Sequence, residues 1–400
     1  MWSLERIQAP QAWPSSVGKG AVVAVIDTGL DLGHPDLQEH LWTNPGEVPG
    51  NGRDDDGNGY VDDVHGLDAV HQNGDLTDVG EHGTHVAGIV AQVAPGARVM
   101  GIKIFDRNGN TDLDSVLRGL RYAGQMGATI VNCSWGGCPF TQALYEAMRD
   151  CPALLVCSAG NTGGDSDVVP HYPSSFDLPN LLPVAATNRN DGLCFTSCYS
   201  RGALGAPGEQ IPSTVPGGGW KVKSGTSQAA PHVSGAAALL GPMPPAELKA
   251  RLLKGADPVT DPKIPSGRLN TLKALHGPHL LRDFFRDFER SWQETQALDN
   301  SPEDLDPRPD RVDLGSEQAI LSPGKLAIRA DDGVLCWLEG CREGDRLVMK
   351  QDGWARDGHG CYRFPLELAG SPDTPFDPPD AQMVSVSQYE QACALYARQW

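Results

Sequence analysis

The sequence predicts an α/β fold: a doubly wound parallel sheet with helices on both faces, followed by a small β-rich appendage. Three observations carry this expectation. Strand-length apolar runs alternate with helix-period segments from Ala21 to Leu240. Those runs are continuously apolar, as strands covered on both faces must be. Polar residues able to do chemistry stand at the ends of the runs, where open parallel sheets bind their ligands.

The first run, Ala21 to Gly29 (Ala-Val-Val-Ala-Val-Ile-Asp-Thr-Gly), puts Asp27 at the C-terminal end of a central strand. Asp31 to Leu37 reads as a loop in which His34, beside Pro35, serves packing. Glu81 to Gly88 (Glu-His-Gly-Thr-His-Val-Ala-Gly) sets His82 just before a small-residue helix, with His85 on roughly the same face. Ala97 to Ile104 is a strand, Asp106 to Asp112 a polar loop, Ser115 to Met126 a helix and Thr129 to Ser134 a further strand. Leu154 to Asn161 (Leu-Leu-Val-Cys-Ser-Ala-Gly-Asn) is a buried strand that delivers Asn161 into a glycine-rich loop.

Lys221 to Leu240 is the stretch around which the rest is organised. A tight Ser-Gly-Thr-Ser turn places Ser227 at the start of a helix built from Ala229, Ala230, Val233, Ala236, Ala237 and Leu239. Unpaired N–H groups and the positive end of the helix dipole can there stabilise charge on a substrate oxygen. Pro231 is read as a first-turn residue that needs no donor. Pro244 to Gly255 is an amphipathic helix. Taken singly, each group has a plainer use: a serine N-cap, a carboxylate in a turn, a structural histidine.

Taken together, these four stretches closely resemble the subtilisin-like serine proteases (subtilases), in that family's chain order of Asp, His, Ser. The resemblance covers about residues 3–277. It implies a serine endopeptidase in which Ser227 attacks, His82 is the base, Asp27 orients it and Asn161 donates to the oxyanion. It also implies that Asn108 and Gly109, with Ser134, Trp135 and Gly136, flank an extended peptide. Ser158, Ala159 and Gly160 would wall the pocket for the residue before the cut bond, with His171-Tyr172-Pro173 on its far side.

Asn51 to Asp63 (Asn-Gly-Arg-Asp-Asp-Asp-Gly-Asn-Gly-Tyr-Val-Asp-Asp) carries five carboxylates that repel one another without a cation. Its spacing copies the first half of a calcium loop. Asp54, Asp56, Asn58 and the Tyr60 carbonyl are the expected ligands of a structural Ca²⁺, with Asp62 or Asp63 completing the shell. His65 stands where such a loop ends in Glu.

The 400 residues carry a net charge of −19, which argues against nucleic acid as a partner. No run approaches the ~18 apolar residues that span a bilayer. The expected partner is a protein or peptide substrate, and the expected state a monomer. Three parts are expected: a catalytic domain over 1–277, a helical segment and Pro/acid-rich linker over 278–314, and a small cysteine-containing domain over 315–400. Met1 leads into no basic or apolar leader, which fits a cytoplasmic protein. The ten cysteines fit disulfides and secretion instead. Cys138 with Cys151, and pairs among Cys336, Cys341, Cys361 and Cys393, are the expected bridges, while Cys133 and Cys157 read as small core residues. Two other functions remain open on the sequence: a non-catalytic calcium-dependent binding module, and a processing protease of narrow specificity.

Overall fold

The computed structural model describes residues Met1–His276 and, beyond them, the backbone of eight strands between Arg311 and Val384. The chain divides into two compact units, Met1–Pro278 and His279–Trp400.

The first unit runs α1 (Trp2–Arg6), α2 (Ala9–Ala12), β1 (Val22–Asp27), β2 (Gly66–Asp68), α3 (His82–Val93), β3 (Arg98–Lys103), α4 (Leu113–Gln125), β4 (Ile130–Cys133) and α5 (Gln142–Arg149). It continues through β5 (Leu154–Ser158), β6 (Leu181–Thr187), β7 (Leu204–Pro207), β8 (Ile211–Val215), β9 (Gly219–Lys223), α6 (Thr226–Leu239), α7 (Pro245–Lys254) and α8 (Thr271–His276). Seven strands form one sheet in the order β2-β3-β1-β4-β5-β6-β7, with every pairing parallel. The order reverses at β1, which pairs with β3 on one side and β4 on the other. A crevice opens at such a switch point beyond the strand's C-terminal end, and that end is Asp27.

The predicted continuous hydrophobicity has a direct cause. Along β1, Val23 and Val25 join the core layer of α3 and α6, whereas Ala24 and Ile26 join the layer of α4 and α5. Asp27 continues the Val23 and Val25 side and therefore points toward α3. These two helices pack closely through small residues: a Cβ at Gly235 of α6 would lie 2.6 Å from Val93 Cβ of α3.

Three expectations need correcting. Pro231 is the sixth residue of α6, inside the helix rather than in its first turn. Its missing N–H would have bonded the Ser227 carbonyl, which instead accepts from Ser134 Oγ at 2.9 Å. The sequence preceding Ser227 is not only a turn, because Gly219–Lys223 is a strand that pairs antiparallel with β8, outside the main sheet. Cys138 and Cys151 are not bridged: all six cysteines among the described residues are free. Cys138 Sγ lies 3.6 Å from the Tyr172 carbonyl, and Cys151 is buried beneath α5 in the layer that also holds Cys133 and Cys157.

In the second unit the strands are β10 (Arg311–Asp313), β11 (Glu317–Ser322), β12 (Lys325–Ala330), β13 (Leu335–Glu343), β14 (Arg346–Met349), β15 (Gly353–Asp357), β16 (Gly360–Phe364) and β17 (Gln382–Val384). All their pairings are antiparallel, in the order β10-β11-β12-β13-β15-β16-β17 with β14 alongside β13. Arg311–Asp313, read from sequence as the end of a linker, is one of these strands. The helical segment expected at the start of 278–314, the rest of the linker and the pairing of the last four cysteines lie outside the described residues.

Candidate active site

Helix α3 begins at His82 because other elements satisfy its first N–H groups. Glu81 precedes it in a left-handed conformation and caps nothing with its side chain. Thr28 Oγ1 accepts from Gly83 N at 2.9 Å, and Asp78 Oδ2 accepts from Thr84 N at 2.9 Å. Asp78 also accepts from the Thr28 and Thr84 hydroxyls, both at 2.6 Å, so one carboxylate ties the end of β1 to the start of α3. A negative group at a helix N-terminus is favourable in its own right.

This brings the imidazole onto Asp27. His82 Nδ1 lies 2.8 Å from one carboxylate oxygen and 2.9 Å from the other, and Asp27 is almost fully buried. Nδ1 therefore carries the proton, leaving Nε2 as the basic nitrogen. Burial works against the imidazolium, yet the charge of Asp27 and its hydrogen bond outweigh it, and the His82 pKa is raised. Lys223 on β9 acts in the opposite direction, and Asp78 with Asp27.

The two rival histidines have other work. His34 is buried, with Nε2 3.0 Å from the Gly219 carbonyl and Nδ1 accepting from Asp36 N. His85 is buried with Nε2 3.0 Å from the Lys221 carbonyl, and desolvation lowers its pKa to about 4. Both fasten the β8–β9 hairpin to the body. Ser213 and Thr214 of β8 add hydroxyl bonds to the His85 and Thr84 carbonyls, both at 2.8 Å. The strand that leads into Ser227 is thereby strapped to the first turn of the helix that carries His82.

Ser227 is the second residue of α6. Its hydroxyl donates to the Ser134 carbonyl at 3.0 Å, while Ser134 Oγ donates to the Ser227 carbonyl at 2.9 Å. In this state the Ser227 proton thus goes to backbone, and no bond to His82 is made; such bonds often form only with substrate in place. Asn161 is fixed by its side-chain oxygen, which accepts from Thr226 N at 2.9 Å. Asn161 is an exposed residue, and its amide nitrogen lies at the same helix end, 3.5 Å from where a Cβ at Gly225 would stand. A Cβ at Gly225 would lie 3.3 Å from that oxygen, and Gly225 has φ 148°, so glycine suits this approach. One base with its carboxylate, one hydroxyl at a helix start and one amide donor can together do acyl transfer.

The segments expected to bind substrate are only partly brought here. Ser134 touches Ser227 directly. Trp135 and Gly136 follow it, and Ser158, Ala159 and Gly160 precede Asn161, with the Gly160 N–H bonded to Thr226 Oγ1 at 3.2 Å. The Trp135 indole N–H is buried without a partner among the described residues. Asn108 and Gly109 sit on an exposed turn closed by Asp106, which accepts from Asn108 N at 2.8 Å and Asn110 N at 2.9 Å. No bond joins that turn to the Ser134–Gly136 segment.

The acidic loop brings two of the expected carboxylates, Asp54 and Asp56, together with one that was not expected, Glu47. Carboxylate oxygens of Glu47, Asp54 and Asp56 lie within 4.8 Å of one another. Glu47 Oε1 accepts from Asp55 N and Asp56 N, while its buried Oε2 has no partner among the described residues. Asp62 is turned away, capping Asn51 N and Gly52 N at 3.2 and 3.0 Å. Asp63 is fully buried beneath the loop, accepting from Tyr122 OH at 2.5 Å, Asn44 Nδ2 at 3.2 Å and Asn58 Nδ2 at 2.9 Å. Asn58 lies beside Asp56, its amide 3.0 Å from Oδ2. Tyr60 N closes the turn on Asn58 Oδ1 at 2.9 Å, while its ring stacks edge-on against Tyr122. His65 faces the Trp42 carbonyl at 2.8 Å, away from the loop. Glu47 was not foreseen, because it precedes the acidic run by seven residues and carries no spacing signal of its own.

Comparison with known proteins supplies the family. Residues 18–282 match the model of the subtilase family, Peptidase_S8. The chain is 34% identical over 289 residues to thermitase of Thermoactinomyces vulgaris, covering 68% of this chain and 94% of that protein. It is equally similar, 34% over 297 residues, to an intracellular serine protease of Paenibacillus polymyxa, covering 68% and 85%. Among solved structures, a cold-adapted subtilisin-like serine proteinase superposes with a TM-score of 0.55 at 26% identity, over 68% of this chain and 98% of that one.

Proposed function

Since the chain belongs to the subtilase family and is a serine endopeptidase, we propose that it cleaves peptide bonds through Ser227, His82, Asp27 and Asn161. The observation that supports this reading is the grip of both Asp27 oxygens on His82 Nδ1, which leaves Nε2 as the basic nitrogen. Substrate draws the Ser227 hydroxyl from the Ser134 carbonyl to His82 Nε2, which takes the proton as the oxygen attacks. The Asn161 amide and the Ser227 N–H receive the oxyanion, and each such donor is worth about 10²–10³ in kcat. His82 returns its proton to the leaving amine, and water then hydrolyses the acyl-enzyme.

Ser227→Ala is expected to abolish hydrolysis of casein and labelling by a fluorophosphonate, with an unchanged circular dichroism spectrum. Labelling that persists in this variant would overturn the assignment.

The acidic loop fits a hard cation. Glu47, Asp54 and Asp56 supply the carboxylates, and the unpartnered Glu47 Oε2 is an oxygen that protein alone leaves unsatisfied. A bound Ca²⁺ would neutralise the loop and hold it folded. The ion's part is structural, since the proton transfers are already assigned to His82.

A further inference from the structure

We propose that His171 is the floor of the recess for the residue before the cut bond, and that it restricts this protease to short side chains there. The inference rests on Ser227 being the nucleophile. The subtilase resemblance implies that the side chain of the acyl residue enters on one particular side of Ser227. That side is bounded by the two strands' exits: residues 134–137, which leave from the carbonyl that holds Ser227, and residues 158–160, which lead to Asn161.

The space between those exits is taken by an imidazole. A Cβ at Gly136 would lie 2.3 Å from His171 Cε1, and one at Gly160 would lie 2.7 Å from His171 Cδ2 and 2.8 Å from Nε2. A Cβ at Gly137 would stand 3.7 Å from Nε2. The ring is therefore flush against both walls, and each wall is glycine where it meets the ring. Side chains on either wall would expel the imidazole, so the three positions form one packed unit.

The ring is also fixed from behind. His171 N donates to Ser175 Oγ at 2.9 Å, Ser174 Oγ donates to the His171 carbonyl at 2.7 Å, and Nδ1 lies 3.3 Å from Ser174 Oγ. Among the described residues Nε2 has no hydrogen-bond partner. The side chain is half-buried, and desolvation lowers its pKa, which favours the neutral ring. An aromatic side chain needs about 3.5–4 Å between its atoms and each wall, a gap the imidazole already fills. A methyl or hydroxymethyl group stops above the ring, within reach of Nε2. The substrate class this selects is protein cut after Ala, Ser or Thr, not after Phe, Tyr or Leu.

The test measures kcat/KM for chromogenic tetrapeptides that differ only in the residue before the cut bond, in the wild-type protein and in His171→Gly. Wild type should favour Ala and Ser over Phe and Leu by at least ~10-fold, and His171→Gly should raise the Phe-to-Ala ratio by at least ~10-fold. A wild-type preference for Phe or Leu, or an unchanged ratio in the variant, overturns the inference. Should the variant not fold, the cleavage sites of the wild-type enzyme in denatured casein, read by mass spectrometry, decide alone: bulky residues before the cuts overturn it. Fluorophosphonate labelling lost in Ser227→Ala, together with an unselective recess, removes this inference and leaves the nucleophile standing. Labelling retained in Ser227→Ala removes both.

Discussion

His82 is where sign and magnitude can be worked out most closely. Its pKa is raised, so the neutral base is lost, and activity with it, as pH falls through a value above the ordinary 6.5 of a histidine. The same shift acts on stability in the opposite direction. The Asp27 pair stabilises the fold fully below the unfolded imidazole pKa, and that contribution disappears as pH rises through the folded one. Asp27→Asn removes the charge that sustains the shift. Its kcat should fall by roughly 10⁴ and the acidic limb of its kcat/KM profile should move to lower pH; a limb that stays in place would mean that Asp27 does not set the base. Asp27 and Asn161 were legible because they follow apolar strand runs, and His82 and Ser227 because they open small-residue helices. His171 was legible only as a place on the far side of a pocket. What makes it a floor is the pair of glycines from distant segments, and no local pattern records that they face one ring.

At the scale of elements, catalytic geometry depends on how α3 and α6 are joined. They meet through Gly235 against Val93 and Val90, and through the hairpin bonds of Ser213, Thr214 and Lys221 to the first turns of α3. Gly235→Ala places a Cβ 2.6 Å from a β-branched side chain that cannot rotate away. We expect the overpacking to cost about 1–3 kcal/mol, somewhat offset by alanine's better helix propensity. A denaturant titration measures it, and an unchanged midpoint would show that the helices have slack. The elements most legible in the sequence were those with two covered faces, such as β1, β3, β4 and β5, and the long helices α4 and α6. Strand β9 was missed because Trp220, Lys221 and Val222 are exposed and pair only with β8, so burial wrote no pattern there. Pro231 was misplaced by a turn, since the hydroxyl that takes over the freed carbonyl comes from Ser134, far away in the chain.

At the scale of the whole molecule, long-range polar ties hold the first unit's ends together. Arg268, buried, donates to the Arg6 and Leu269 carbonyls and pairs with Asp257 and Asp191, while Asp257 also takes Lys273 at 2.7 Å. The acidic loop is a second tie, one that depends on the medium. If Ca²⁺ fills it, EDTA should lower the thermal midpoint reversibly, by the equivalent of about 2.7 kcal/mol at a hundredfold excess of ion over Kd. Glu47→Gln should reduce that difference sharply, and a midpoint indifferent to EDTA would refute the site. The acidic run and the convergence of Asp54 with Asp56 were plain in the sequence; the use of Asp62 and Asp63 on Asn51, Gly52 and Tyr122, and the arrival of Glu47, were not. The six free thiols have a consequence of their own. Nothing covalent beyond the main chain staples residues Met1–His276 together, so a reducing solution has nothing in that unit to cut. Alkylation of the denatured protein without reductant should modify all six of these thiols, as read by peptide mass; one left unmodified would mean a bridge in that unit.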